Sequence, residues 1–159
     1  MRTKICGITN QEDALNAINA GVNALGFVFY DKSPRYIKPQ DAAKIAEYLP
    51  PFIQLVALFV NETPQTINEI CKTAKMDIAQ IISTDMSDEY FDALEVKYIK
   101  VIRAQSAADI IKYQDEYILV DAFVEAYGGA GKRVALEWFK ELDCSKIILA
   151  GGLTESNLK

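Results

Sequence analysis

Gln54-Leu55-Val56-Ala57-Leu58-Phe59-Val60-Asn61-Glu62-Thr63-Pro64 passes from an apolar run to a polar residue and on to a helix start within eleven positions. Leu55–Val60 is rich in β-branched and aromatic side chains and has the length of a buried strand. Thr63 offers an N-cap oxygen, and Pro64 suits the first helical turn, where a missing N–H costs nothing. Ile67, Ile70, Cys71 and Ala74 then recur at i, i+3, i+4, i+7, one buried helical stripe, before the next strand candidate at Asp77–Ile82. Strand, polar rim residue, capped helix and strand make one βα unit, with the two strands parallel.

The same unit repeats in both directions. The other strand candidates are Thr3–Cys6, Ala24–Phe29, Tyr98–Ile102, Tyr117–Asp121 and Lys146–Ala150. Asn10, with Asp13 at the third helical position, caps the first helix. Ser87, Ser106 and Thr154 stand before the fourth, fifth and seventh. Ala42, Ile45, Ala46 and Leu49 form the stripe of the second helix, and Trp138 is expected in the core of a later one. Strand starts recur about every 24 residues, a compact βα pitch.

Two architectures accommodate this alternation: an open doubly wound sheet and a closed (β/α)8 barrel. The strand ends favour the barrel. Cys6, Asn61, Ser83, Arg103, Asp121 and Gly151-Gly152 each end or follow an apolar strand. A barrel gathers all such ends around one mouth, whereas an open sheet uses only those at its switch point. The expected fold is therefore an α/β (β/α)8 TIM barrel, with residues 1–159 as a single domain. Eight units need roughly 195 residues. The last βα unit is thus expected to lie beyond Lys159, in some 40 further residues (~40).

Composition narrows the chemistry. The 159 residues carry 17 Lys+Arg against 22 Asp+Glu, a net charge of −5, and half of them are apolar. Nucleic-acid and anionic-membrane partners need a basic face, so neither is expected. There is no apolar run of spanning length and no signal-peptide pattern in residues 1–30, which points to a cytoplasmic protein. The chain has no His, so no Ser-His-Asp or Cys-His pair can form within it, and no imidazole-based zinc site. Cys6, Cys71 and Cys144 are too far apart for a CxxC motif and are expected as free thiols.

Among candidate functional residues, Cys6 stands at a strand end before Gly7. A thiol there could be a nucleophile, a general base or a small buried hydrophobe. Cys71 and Cys144 fit the buried-hydrophobe reading. Asp121 directly follows an apolar strand, where a carboxylate is costly unless solvated, bonded or used. Gly128, Gly129 and Gly131 with Lys132 form a glycine-rich loop able to turn N–H groups onto an anion. Gly151 and Gly152 open the next helix in a similar way. Two such loops on successive late strands match the usual phosphate site of a barrel. Arg35 and Arg103 each have the fork that binds a carboxylate with two bonds.

Taken in order, several motifs resemble the phosphoribosylanthranilate isomerase family. They are Lys4-Ile5-Cys6-Gly7-Ile8-Thr9, Gly26-Phe27-Val28-Phe29, Ser33-Pro34-Arg35, Leu58-Phe59-Val60-Asn61, Val120-Asp121, Gly128–Lys132 and Leu149–Thr154. The resemblance implies a (β/α)8 barrel without cofactor or metal that carries out an Amadori rearrangement in tryptophan biosynthesis. It implies Cys6 as general base, Asp121 as general acid and Arg35 facing the anthranilate carboxylate. Gly128, Gly129, Gly131, Lys132, Gly151 and Gly152 would form part of a phosphate site. The partner would be a small phosphorylated substrate, with monomer and homodimer both open. One departure is local: where the family often reads Gln-Leu-His-Gly, this chain has Gln80-Ile81-Ile82-Ser83. Other phosphate-binding barrel isomerases, and a non-catalytic phosphometabolite-binding domain, are the alternatives. The Cys6/Asp121 pair in a chain with no His points away from the first where its sites are built on His or metal, and the second would not need a thiol at position 6.

Overall fold

A computed structural model describes residues 1–122 and 134–157. The chain divides into two compact units, Met1–Tyr98 and Ile99–Lys159. In the first, the expected βα units form in order. They are β1 (Lys4–Cys6), α1 (Gln11–Asn19), β2 (Ala24–Val28), α2 (Pro39–Glu47), β3 (Gln54–Val60), α3 (Pro64–Ala74), β4 (Ile78–Ile82) and α4 (Asp88–Asp92). The strands lie parallel in the order β1-β2-β3-β4, and one row of the register runs Cys6, Gly26, Val56, Ile78.

The second unit contains β5 (Lys97–Ala104, which starts just before the division), α5 (Ala107–Ile111), β6 (Ile118–Ala122) and β7 (Ile147–Leu149). These strands are also parallel, in the order β5-β6-β7, with Arg103 opposite Asp121 and Val120 opposite Leu149.

Helix starts follow their caps. Asn10 Oδ1 accepts from Asp13 N at 2.8 Å, Thr63 Oγ1 from Thr66 N at 3.3 Å, and Ser87 Oγ from Tyr90 N at 3.3 Å. Each such cap contributes about 1 kcal/mol. At α5, Asp109 Oδ2 accepts from the amides of Gln105 and Ser106, both at 2.9 Å. The Gln105 amide first, with those of Ser106, holds the Asp109 carboxyl below the usual aspartate range.

Strand alternation sorts the first unit into two sheet faces. Leu25, Phe27, Leu55, Ala57, Phe59, Ala79 and Ile81 join Ala42, Ile45, Ile67, Cys71 and Ala74 of the helices in one buried cluster. Phe29 and Phe59 stack within it, ring centres 5.7 Å apart. The opposite face carries the other parity: Lys4, Cys6, Gly26, Val28, Val56, Leu58, Val60, Gln80 and Ile82. That face holds the functional candidates of this unit.

Two expectations are corrected by the structure. Trp138 lies in a four-residue 3-10 turn, Leu136–Phe139, and is half-buried instead of in the core, because so short a turn presents no amphipathic face to a sheet. Cys144 is exposed, since it opens a 3-10 turn before β7, where Asp143 caps Ser145. Thr154 stands before a three-residue 3-10 turn, Glu155–Asn157, and the rest of the helix expected there lies outside the described residues. In addition, α2 stops at Glu47, two residues short of Leu49, which still packs against the cluster.

Phe59 is fully buried between sheet and helices, so Phe59→Ala should cost about 3–5 kcal/mol in unfolding free energy. Denaturant titration checks this; a loss under about 1 kcal/mol would show that the site collapses around the missing ring.

Candidate active site

At the end of β1 the chain leaves the sheet through Gly7, whose φ is +96°. The amides of Gly7 and Ile8 both donate to the Gly26 carbonyl, at 2.9 and 3.0 Å, so the turn is tied to β2. A side chain at position 7 would be strained by that φ. It would also run into the Arg35 side chain at Cδ. The missing side chain is therefore what lets the Arg35 stem lie across the strand end.

Arg35 is delivered by a loop stapled back to β2. Ser33 N donates to the Tyr30 carbonyl at 3.0 Å, Ser33 Oγ accepts from Arg35 N at 3.2 Å, and Ile37 N returns to the Val28 carbonyl at 3.1 Å. The guanidinium is exposed, and Nη1 donates to the Cys6 carbonyl at 3.2 Å. Its remaining donors are available to an anion, and one bond to the backbone fixes where they point.

The Cys6 side chain is half-buried and lies over Gly26, its register partner. A Cβ on Gly26 would come 2.7 Å from Cys6 Sγ and 3.0 Å from Lys4 Nζ. Any larger residue at position 26 would displace the thiol or the ammonium. Lys4, Gly7 and Gly26 were not singled out as site residues from sequence. A glycine inside an otherwise apolar strand was the available signal, because it marks a close approach.

Further along the same edge, Asn61 takes a left-handed φ of +49°. Its amide donates to the Ile82 carbonyl at 2.8 Å, and its Oδ1 accepts from Thr84 N at 2.9 Å, so it joins the ends of β3 and β4. Ile82 occupies the position where the family often has His, on the same sheet face as Cys6. Gln80 is 5 % exposed on that face, and its Oε1 has no hydrogen-bond partner among the described residues.

In the second unit, Asp121 is half-buried near the C-terminal end of β6, directly opposite Arg103 on β5. Gly151 and Gly152 follow β7 with φ values of +81° and +63°. The Ala150 amide donates to the Val120 carbonyl at 2.9 Å and holds this turn beside β6. Gly128, Gly129, Gly131 and Lys132 lie outside the described residues. Among the described residues, no cluster of three His, Cys, Asp or Glu could hold a metal ion, and no helix is long and apolar enough to cross a membrane.

A cavity of about 1100 Å³ opens at the other end of the first unit's strands, lined by Arg2, Asn23, Gln54, Asp77 and their neighbours. It touches none of the residues at the strand C-termini, so the chemistry does not favour it.

Residues 3–159 match the family model described as N-(5'-phosphoribosyl)anthranilate (PRA) isomerase. The chain belongs to this family. It is 58% identical over 158 residues to an N-(5'-phosphoribosyl)anthranilate isomerase of Nitratiruptor sp., covering 99% of this chain and 80% of that protein. A second such isomerase, from Sulfurovum sp., is 54% identical with the same coverage. Among solved structures, the phosphoribosylanthranilate isomerase of Thermus thermophilus is similar with a TM-score of 0.87 at 34% identity. That likeness covers 99% of this chain and 80% of the other. Another, solved in complex with reduced 1-(o-carboxyphenylamino)-1-deoxyribulose 5-phosphate, has a TM-score of 0.81 at 33% identity, covering 99% and 78%. The fold class of this isomerase family, the (β/α)8 barrel, is that of the chain.

The three thiols should separate by reactivity. Burial pushes the Cys71 thiol up to about 12, and the residue is 3 % exposed, so it should resist iodoacetamide in the folded protein. Cys6 and Cys144 should label, and Cys71 only after denaturation. Gly26→Ala should displace the Cys6 thiol and, if that thiol reacts, lower turnover by about 10²-fold, the usual cost of moving a reacting group by an ångström. Steady-state kinetics read it; an unaltered kcat would show that the thiol relocates without penalty.

Proposed function

We propose that this chain converts N-(5-phosphoribosyl)anthranilate to 1-(2-carboxyphenylamino)-1-deoxyribulose 5-phosphate with Cys6 as general base and Asp121 as general acid. The family gives the reaction. One observation carries the assignment to Cys6: its thiol occupies the space left over Gly26, with Arg35 anchored on its own carbonyl.

In this reading Asp121 starts protonated and donates to the furanose ring oxygen as the C1′–O bond breaks. The anilino nitrogen lone pair forms the C1′=N iminium. The Cys6 thiolate then removes the proton from C2′, and that electron pair becomes the enolamine double bond while the iminium is neutralised. Tautomerisation of the enol gives the ketone. Both catalytic steps are proton transfers to or from a positioned side chain, the work general acids and bases do.

Arg35 would hold the anthranilate carboxylate with the donors left after its bond to Cys6. The phosphate would sit beside Gly151 and Gly152, with Gly128, Gly129, Gly131 and Lys132 completing its cradle. The positive φ values after β7 support the first half of that proposal, since a glycine turn without Cβ atoms lets an anion come close to the backbone. A cytoplasmic location, and residues 1–159 as part of one barrel domain, belong to the same reading.

Cys6→Ser and Asp121→Asn should each lower kcat by about 10²–10⁴-fold while leaving the fold intact, because a hydroxyl is too weak a base and an amide delivers no proton. Turnover assayed by product formation, with circular dichroism for the fold, tests both. Near-native activity in either folded variant removes that residue from its role, and ligand binding without any turnover in the parent would favour a binding module. Arg35→Lys should raise KM about tenfold despite keeping the charge, because an ammonium lacks the planar fork. An analogue without the carboxylate should bind both forms equally. Equal losses for both ligands would show that Arg35 acts only through the Cys6 strand end.

A further inference from the structure

We propose that Lys4 is a positioning residue for the base, its ammonium held beside the Cys6 thiol to stabilise the thiolate charge. The inference rests on the reading of Cys6 as general base. Lys4 and Cys6 are two residues apart on β1, so both side chains leave the same sheet face. The strand itself keeps them side by side.

The space above Gly26 brings their ends together. One point, the place of the absent Cβ, lies 2.7 Å from Cys6 Sγ and 3.0 Å from Lys4 Nζ. Thiol and ammonium are therefore no further apart than those two lengths laid end to end. A long flexible Lys side chain has many places to go, and holding it here sacrifices rotamer entropy. Lys4 is half-buried, and among the described residues no carboxylate pairs with it, whereas Lys44, Lys75 and Lys100 all have acidic partners. A partly desolvated cation without a counter-ion gains most from a neighbour that can become an anion. The thiol is that neighbour.

Few other charges compete. In the row across the sheet from Cys6, the register partners Gly26, Val56 and Ile78 carry no titratable group. Arg35 contacts the Cys6 carbonyl from the loop after β2 and adds charge of the same sign. Both cations favour a negative sulfur, and Lys4 is the one whose charged atom lies beside the sulfur itself. The arrangement also explains the glycine at position 26, since any side chain there would part the two groups.

The test is made in the full-length protein with Cys144→Ser, which removes the exposed competing thiol, and with iodoacetamide, whose neutrality makes its approach insensitive to the lost charge. Lys4→Met should slow alkylation of Cys6 at neutral pH about tenfold, the effect of one unit charge a few ångströms away at an intermediate dielectric. In Lys4→Met, kcat should fall by a similar factor with KM held within about twofold, and Lys4→Arg should recover about half of both losses. An unchanged alkylation rate in Lys4→Met overturns the proposal. So does a raised KM at constant kcat, which would make Lys4 a substrate contact. Failure of the base reading is separately visible: Cys6→Ser would then keep turnover, while slow alkylation in Lys4→Met would still report the pairing.

Discussion

The register between β1 and β2 sets what this edge of the sheet can do. Pairing Cys6 with Gly26 places a thiol opposite the one residue with no side chain. A slip by a single residue would set Cys6 against Leu25 or Phe27 and turn the pairing to the opposite face. The hydrophobic cluster behind the sheet forbids that slip, because Leu25 and Phe27 are both fully buried in it. Core packing and site geometry are thus the same constraint seen from two faces. The helices fix the register, and the register fixes the thiol.

Glycine is usually tolerated in strands as a weakness, since it contributes no packing and loses entropy on folding. Here two of them create room. Gly26 lets the Lys4 and Cys6 side chains share one space, and Gly7 lets the Arg35 stem cross the end of β1. The loop bearing Arg35 would otherwise have to approach from further away, without its bond to the Cys6 carbonyl. Three polar groups are gathered by two absences, and the neighbouring core carries the stability that those absences forgo.

Much of the fold was legible because its determinants are local. All seven strands appear within two residues of their expected limits, and the caps at Asn10, Thr63, Ser87 and Ser106 lie where the side-chain chemistry puts them. Cys6 and Asp121 could be singled out because each stands at or near the C-terminal end of its strand. What was not legible depends on depth and distance. Lys100 sits in the middle of β5 and is 6 % exposed, which its ion pair to Glu116 at 2.7 Å helps make tolerable. Nothing in the spacing of residues 100 and 116 announces that partner. Trp138 was placed inside as part of a helical segment and Cys144 because it stands just before a strand, yet each falls in a 3-10 turn too short to bury a face.

The distinction extends to the three cysteines, which share a side chain and little else. Cys71 lies on the apolar stripe of α3, where desolvation favours the neutral thiol and leaves it inert. Cys144 sits at the surface with its thiol, a weak donor, directed to the Leu142 carbonyl at 3.5 Å. Cys6 alone combines partial exposure with two cations, one on its carbonyl and one beside its sulfur. In a chain without His, a base for carbon-proton abstraction can come from a thiol, a carboxylate, an amine or a phenol, and Cys6 is the thiol placed for it in the proposed reaction. A carboxylate at position 6 would form a closed ion pair with Lys4, with its charge already satisfied before substrate arrives. The thiol is larger, softer and less strongly paired. In the proposed role it shares the space over Gly26 with an ammonium and stays free to take a proton.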